Sequence, residues 1–244
     1  MSLCAEHLAM AAQDDARERE MRTLFNLVRA PEAGRSDVDA MLELKGRAVP
    51  QRLRGTQVSF ELKSATGGRA NISTVRDFGL HHIEKWRELH WLFGIYGRDA
   101  RGDQILQYCL YGSPAKMKPW FDRMAAYIAP DVALAAHVPQ LITDKTLTAV
   151  LGTSRRFSSE DAKRLMKNQF GAEQYEARSD PKTGGYSRKA MLEMLRERCA
   201  YVIQRGSTLN NPHIPASHFA GWERIVEDHA ARLRELVIEA LPRS

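Results

Sequence analysis

Residues 58–66 read V-S-F-E-L-K-S-A-T, and the fold turns on how this stretch is read. In an extended chain side chains alternate with a period of two, so Val58, Phe60 and Leu62 fall on one side and Ser59, Glu61 and Lys63 on the other. Upstream, S-D-V-D-A-M-L-E-L-K (36–45) alternates in the same way. There Val38, Ala40, Leu42 and Leu44 form the apolar side, opposite Asp37, Asp39, Met41, Glu43 and Lys45. The connection from Gly46 to Gly55 carries Pro50 and three arginines, a composition that breaks strands. If both strands bury their apolar sides in one core, Asp39, Glu61 and Lys63 share the other surface.

Working outward, helical spacing runs from about Leu3 to Arg29 and is ended by Pro31 and Gly34. A helix is predicted over 74–90, then strands over 91–96 and 104–111 with a turn between them that holds Arg98 and Arg101. Beyond these the spacing predicts helices over 116–128, 130–137, 158–170, 187–204 and 217–241; residues 145–151 fit a strand or a short helix. Ser158 opens an S-S-E-D capping pattern. The order predicts an α/β (α+β) fold, a mixed central β-sheet flanked by helices, with a helical C-terminal half. At 244 residues one domain is expected over 1–244, with the core sheet and helix in 35–112 and mainly helical additions in 113–244. Trp222, Ile225, Leu233, Leu236 and Val237 leave two readings of 217–241 open, a dimer surface or core.

Two carboxylates and an ammonium on one surface suit phosphodiester hydrolysis. Carboxylate oxygens are hard ligands for Mg2+, which keeps waters and leaves a position for a phosphate oxygen. A neighbouring ammonium balances charge that develops on the phosphate. The spacing by itself is weak, because half-exposed strands often alternate Glu and Lys, and Glu43–Lys45 repeats it. That first copy has no partner strand to meet it, since Asp39 lies on the same strand.

Taken together, D-A-M-L-E-L (39–44), V-S-F-E-L-K-S-A-T (58–66), the following helix and W-L-F-G-I-Y (91–96) resemble the core of the PD-(D/E)xK nucleases, whose familiar members are type II restriction endonucleases. The resemblance covers roughly residues 35 to 97. It implies a restriction-endonuclease-like sheet, Mg2+ as cofactor, Asp39 and Glu61 as metal ligands and Lys63 beside the attacking water. It further implies double-stranded DNA as substrate, cut at a specific sequence, and a homodimer. Val38 stands where the family commonly has proline, and Asp37 is the alternative to Asp39. Glu20, from the N-terminal helix, and Ser64, after Lys63, are second-choice site residues; Glu18 and Glu20 also read as a solvated helix face. A structure-specific repair or recombination nuclease and a non-catalytic DNA-binding protein are the alternatives.

Composition agrees with such a chain without demanding it. The net charge is +6 and the pI about 9.3, a surplus that attracts phosphate backbones. Candidate DNA contacts are Arg98 and Arg101 in the strand turn, Arg155 and Arg156, and Lys182 and Arg188 in the basic stretch K-T-G-G-Y-S-R-K (182–189). The three cysteines Cys4, Cys109 and Cys199 form no metal-binding spacing. His81 and His82 are adjacent, so on a helix they diverge rather than chelate. No phosphate-loop or nucleophile-elbow motif occurs, which argues against a nucleotide cofactor or a serine hydrolase. No apolar run reaches membrane-spanning length, and a cytoplasmic location is expected.

Overall fold

The computed structural model describes residues 14–29, 38–67, 70–75 and 77–242. Asp37 and residues 3–13 of the expected N-terminal helix lie outside them. The chain divides into two compact units. The first gathers residues up to 76, 81–125 and 211 onward; the second comprises 77–80 and 126–210.

The first unit is built on a mixed five-stranded sheet, and the fold is α/β. Its strands are β1 (Ala40–Glu43), β2 (Gln57–Ala65), β4 (His90–Arg98), β5 (Gln104–Gly112) and β9 (Arg224–Ile225), in that spatial order. A short β3 (Ile72–Ser73) pairs with β8 (His213–Ile214) beside it. β1 runs antiparallel to β2, with Ala40 opposite Phe60 and Leu42 opposite Val58. β2 runs parallel to β4, with Glu61 opposite Trp91 and Lys63 opposite Phe93. β4 and β5 form an antiparallel hairpin whose register shifts by one residue between Ile95 and Tyr96.

Period two sorts the two faces. Ala40, Leu42, Val58, Phe60, Leu62, Leu92 and Tyr111 pack with Met21 of α1 (residues 14–24), with Phe25 just after it, and with Leu233, Leu236 and Val237 of α8 (His229–Ala240). Each such large side chain contributes about 1.5–3 kcal/mol on burial, which fixes the register against a one-residue slip. The opposite face is aromatic. Trp91 meets Trp86 of α2 (Leu80–Trp86) edge-on at 5.4 Å and Phe121 of α3 (Pro114–His137) at 5.9 Å, and Phe93 meets Phe219 at 4.9 Å.

The second unit packs α4 (Asp144–Leu151), α5 (Ser159–Met166) and α6 (Ala172–Glu176) around α7 (Arg188–Gly206). Leu147, Leu165, Tyr175, Met191 and Met194 form its core, and β6 (Arg156–Phe157) pairs with β7 (Tyr186–Ser187). Ser158 caps α5 through a reciprocal exchange with Asp161.

Three expectations are corrected, and the first is that the helix expected over 74–90 is only α2. The helices expected over 116–128 and 130–137 are one helix, α3; Pro130 takes a single N–H out of it, and Ile128 and Ala135 are buried on either side. The helix expected over 217–241 is only α8. Before it come a 3-10 turn (Ala216–Phe219), Gly221 at φ +77°, the edge strand β9 and Asp228 at φ +46°, backbone values no right-handed helix passes through. Ile225, Leu233, Leu236 and Val237 are core residues of the first unit.

Candidate active site

β2 contributes the centre of the site because its polar side faces the aromatic layer. Glu61 is 4% exposed, and its Oε1 accepts a hydrogen bond from Lys63 Nζ at 2.5 Å. The Lys63 ammonium also lies 5.7 Å from the centre of the Trp86 ring, a cation–π distance. Asp39 sits just ahead of β1. Its backbone N–H donates to Phe60 O at 3.1 Å, and its Oδ2 accepts from the Leu62 N–H at 2.9 Å. Where β1 has not yet begun, the carboxylate takes the place of a strand neighbour for β2. Asp39, Glu61 and Lys63 are therefore brought together across two paired strands.

The electrostatics are those of a crowded anionic site around one lysine. Burial pushes the Glu61 carboxyl above its ordinary value, Lys63 pulls it back, and Asp39 adds to the rise. Burial alone would lower the Lys63 ammonium, but Glu61 and Asp39 outweigh it and hold the group above its ordinary value, protonated at neutral pH. Glu18 on α1 is raised by burial and then by Asp39, with Lys63 opposing. A second lysine, Lys85 on α2, acts on Glu61 and lies 5.9 Å from the Trp86 ring.

The remaining expected residues fall in different places. Asp37 lies outside the described residues. Glu20 accepts from the Tyr96 hydroxyl at 2.8 Å and is held there, whereas the charge of Glu18 bears on Asp39 and Lys63. Ser64 Oγ accepts from the buried Arg17 at 3.5 Å. Arg98 closes its turn on Gly102 O, and Arg101 is exposed. In the second unit Arg155 is exposed, and Arg156 reaches Asp180 and Thr183. Arg188 is committed to Asp144 and to the carbonyls of Gly152 and Ser154. The stretch 180–185 is a turn closed on Asp180, whose carboxylate accepts from Lys182 N.

Lys85 and Arg17 were not singled out by sequence, and Glu18 was read with Glu20 as a solvated helix face. Each sits on a helix whose charges look alike; which one meets the sheet depends on how the helix is rotated.

Among the described residues no three acidic, histidine or cysteine side chains are grouped as a closed cation cage. Magnesium requires none, since it takes one or two carboxylates and keeps its waters. Asp39 has one oxygen uncommitted by Leu62, and the desolvated Glu61 carboxylate has one uncommitted by Lys63. That donor set fits Mg2+. Comparison with family models and with curated proteins finds no match to this chain.

Proposed function

We propose that this protein is a Mg2+-dependent endonuclease that hydrolyses phosphodiester bonds of double-stranded DNA at a specific sequence, in the manner of a type II restriction enzyme. One observation carries the reading: Asp39, Glu61 and Lys63 meet across β1 and β2, with the ammonium 2.5 Å from the Glu61 carboxylate. A buried carboxylate whose pKa is raised, beside a lysine, is a common mark of reaction centres.

On this reading Asp39 and Glu61 hold the metal, and Lys63 stands at the reacting phosphate. Magnesium, when bound, supplies a Lewis acid for the phosphate and a more acidic water. Lys63 is protonated, so its contribution is to donate hydrogen bonds and positive charge to the attacking oxygen and to the charge growing on phosphorus. Trp86 and Trp91 wall the site on one side and raise the effect of each charge by excluding water. Leu62 N–H fixes the aim of Asp39. The net charge of +6 favours approach of the polyanion. A two-fold pair would match a palindromic target.

The test is digestion of plasmid DNA by the purified protein with Mg2+ and with EDTA, repeated with Glu61→Ala and Lys63→Ala. Discrete fragments are expected with Mg2+ alone, and neither variant should cut although both still bind DNA. Cutting by Glu61→Ala at the wild-type rate would overturn the site. Cutting directed by branches or flaps rather than by sequence would move the protein to a structure-specific role.

A further inference from the structure

The β4–β5 hairpin end holds a cleft of about 470 Å3 lined by Thr66, Gly67, Gly97, Arg98, Gln104 and Gln107. Four features make it more than a surface dent. First, the register shift between Ile95 and Tyr96 pairs Ile95 with Tyr108 and Tyr96 with Leu106, leaving Gln107 as the extra residue of a bulge. Bulges of this kind re-aim a side chain and gather beside functional sites. Second, the Gln107 side chain lies across Gly97 so closely that a Cβ at that position would stand 1.9 Å from its Nε2. Only glycine leaves room for the amide there. Third, among the described residues the Gln107 amide makes no hydrogen bond, so both its donor and its acceptor are open to a ligand. Fourth, the cleft is coupled to the candidate site. Thr66 and Gly67 follow Lys63 by three and four residues, and the buried Arg17 donates to Ser64 with one nitrogen and to Gln104 with the other.

Resting on the nuclease reading, we infer that this cleft is a base-reading site, in which the Gln107 amide takes the donor–acceptor edge of an adenine in the major groove while Arg98 meets the adjoining phosphate. A primary amide offers one donor and one acceptor side by side, the complement of adenine N7 and N6. Arg98 spends one nitrogen on Gly102 O and keeps its charge at the rim, as a backbone contact requires. Gly97 is then a specificity residue at one remove, since it sets where the amide rests.

A binding selection tests this apart from hydrolysis. Wild type, Gln107→Ala and Gly97→Ala are each offered a randomised duplex library with Ca2+ in place of Mg2+, and the bound fraction is sequenced. Wild type should enrich A·T at one position. Both variants should lose that preference about ten-fold or more, the range of one bidentate base contact, while other positions keep theirs. The two variants reach the amide by different routes, so misfolding of one leaves the other decisive. Unchanged enrichment in a folded Gln107→Ala, or no enrichment by wild type, would overturn the cleft assignment even if plasmid is cut with Mg2+. A lost preference together with no plasmid cleavage would sustain the cleft and remove the hydrolytic reading.

Discussion

The carboxylate of Asp39 is tied to the peptide between Glu61 and Lys63: its Oδ2 accepts from Leu62 N–H at 2.9 Å, so one contact sets the distance between the two strands' acids. An asparagine keeps an oxygen for that bond and loses the charge; an alanine loses both. Asp39→Asn is therefore expected to melt within a degree or two of wild type and Asp39→Ala several degrees lower, since an orphaned N–H costs about 1–3 kcal/mol. Both should lose Mg2+-dependent cleavage by about a hundred-fold or more. Calorimetry with a plasmid assay checks this; equal melting of the two variants would show that the bond does no positioning.

Glu61 and Lys63 form an ion pair, and on the proposed reading each is separately needed for chemistry. Lys63→Met strands a buried carboxylate. The lysine side chain is 21% exposed, so the cost should fall below that of a fully buried pair, at about 2 kcal/mol. Adding Glu61→Gln removes the stranded charge and should restore most of that loss while cleavage stays absent. A double-mutant cycle by urea unfolding gives the coupling, and a double variant no more stable than Lys63→Met would contradict it.

His90 gives the fold a pH dependence away from the site. Its Nδ1 is 2.6 Å from the Tyr111 hydroxyl in the core, and burial lowers its pKa from 6.5 to about 4. The unfolded chain takes up a proton that the folded protein refuses. The contribution is therefore complete above pH 6.5 and is lost as pH falls from 6.5 to about 4, amounting to about 3 kcal/mol. Replacing both partners, His90→Leu with Tyr111→Phe, should be nearly neutral at pH 7.5 and should flatten melting temperature over that window. An unaltered acid slope would place its origin elsewhere.

At Gly94 the sheet lies close against Met21 of α1. A Cβ there would meet Met21 Sδ at 2.8 Å and the Tyr96 ring at 3.0 Å, both buried. Gly94→Ala should cost about 1–3 kcal/mol. It should also weaken cleavage, because α1 carries Glu18 toward Asp39. Wild-type melting and activity would mean that the helix is free to shift.

How much could be read from the sequence follows the period of each element. β1 and β2 alternate strictly, so the sides on which Asp39, Glu61 and Lys63 stand were legible, as was the mixed sheet. Helix rotation was not. Glu18 and Glu20 lie about 200° apart on α1, and only packing of Met21 and Phe25 decides that Glu18 turns toward the strands while Glu20 meets Tyr96. Residues 217–228 misled for a related reason. Trp222 and Ile225 have helical spacing with Leu233 and Leu236, yet a strand partner on β5 and two left-handed residues outweigh that local pattern. The bulge at Gln107 left no trace in the alternation at all.

The sheet's fifth strand and the helix packed in one core with Phe60 and Leu62 both come from residues 224–240, after the entire second unit has been synthesised. A nascent chain thus carries Asp39, Glu61 and Lys63 long before it can close the layer beneath them, while residues 126–210 are contiguous and can fold as they emerge. Synthesis order delays assembly of the acidic cluster until residues 224–240 have emerged. A version ending at residue 210 should accordingly be digested rapidly by protease within 38–112 and resist within 126–210; uniform resistance would show that the early strands stand without their late cover.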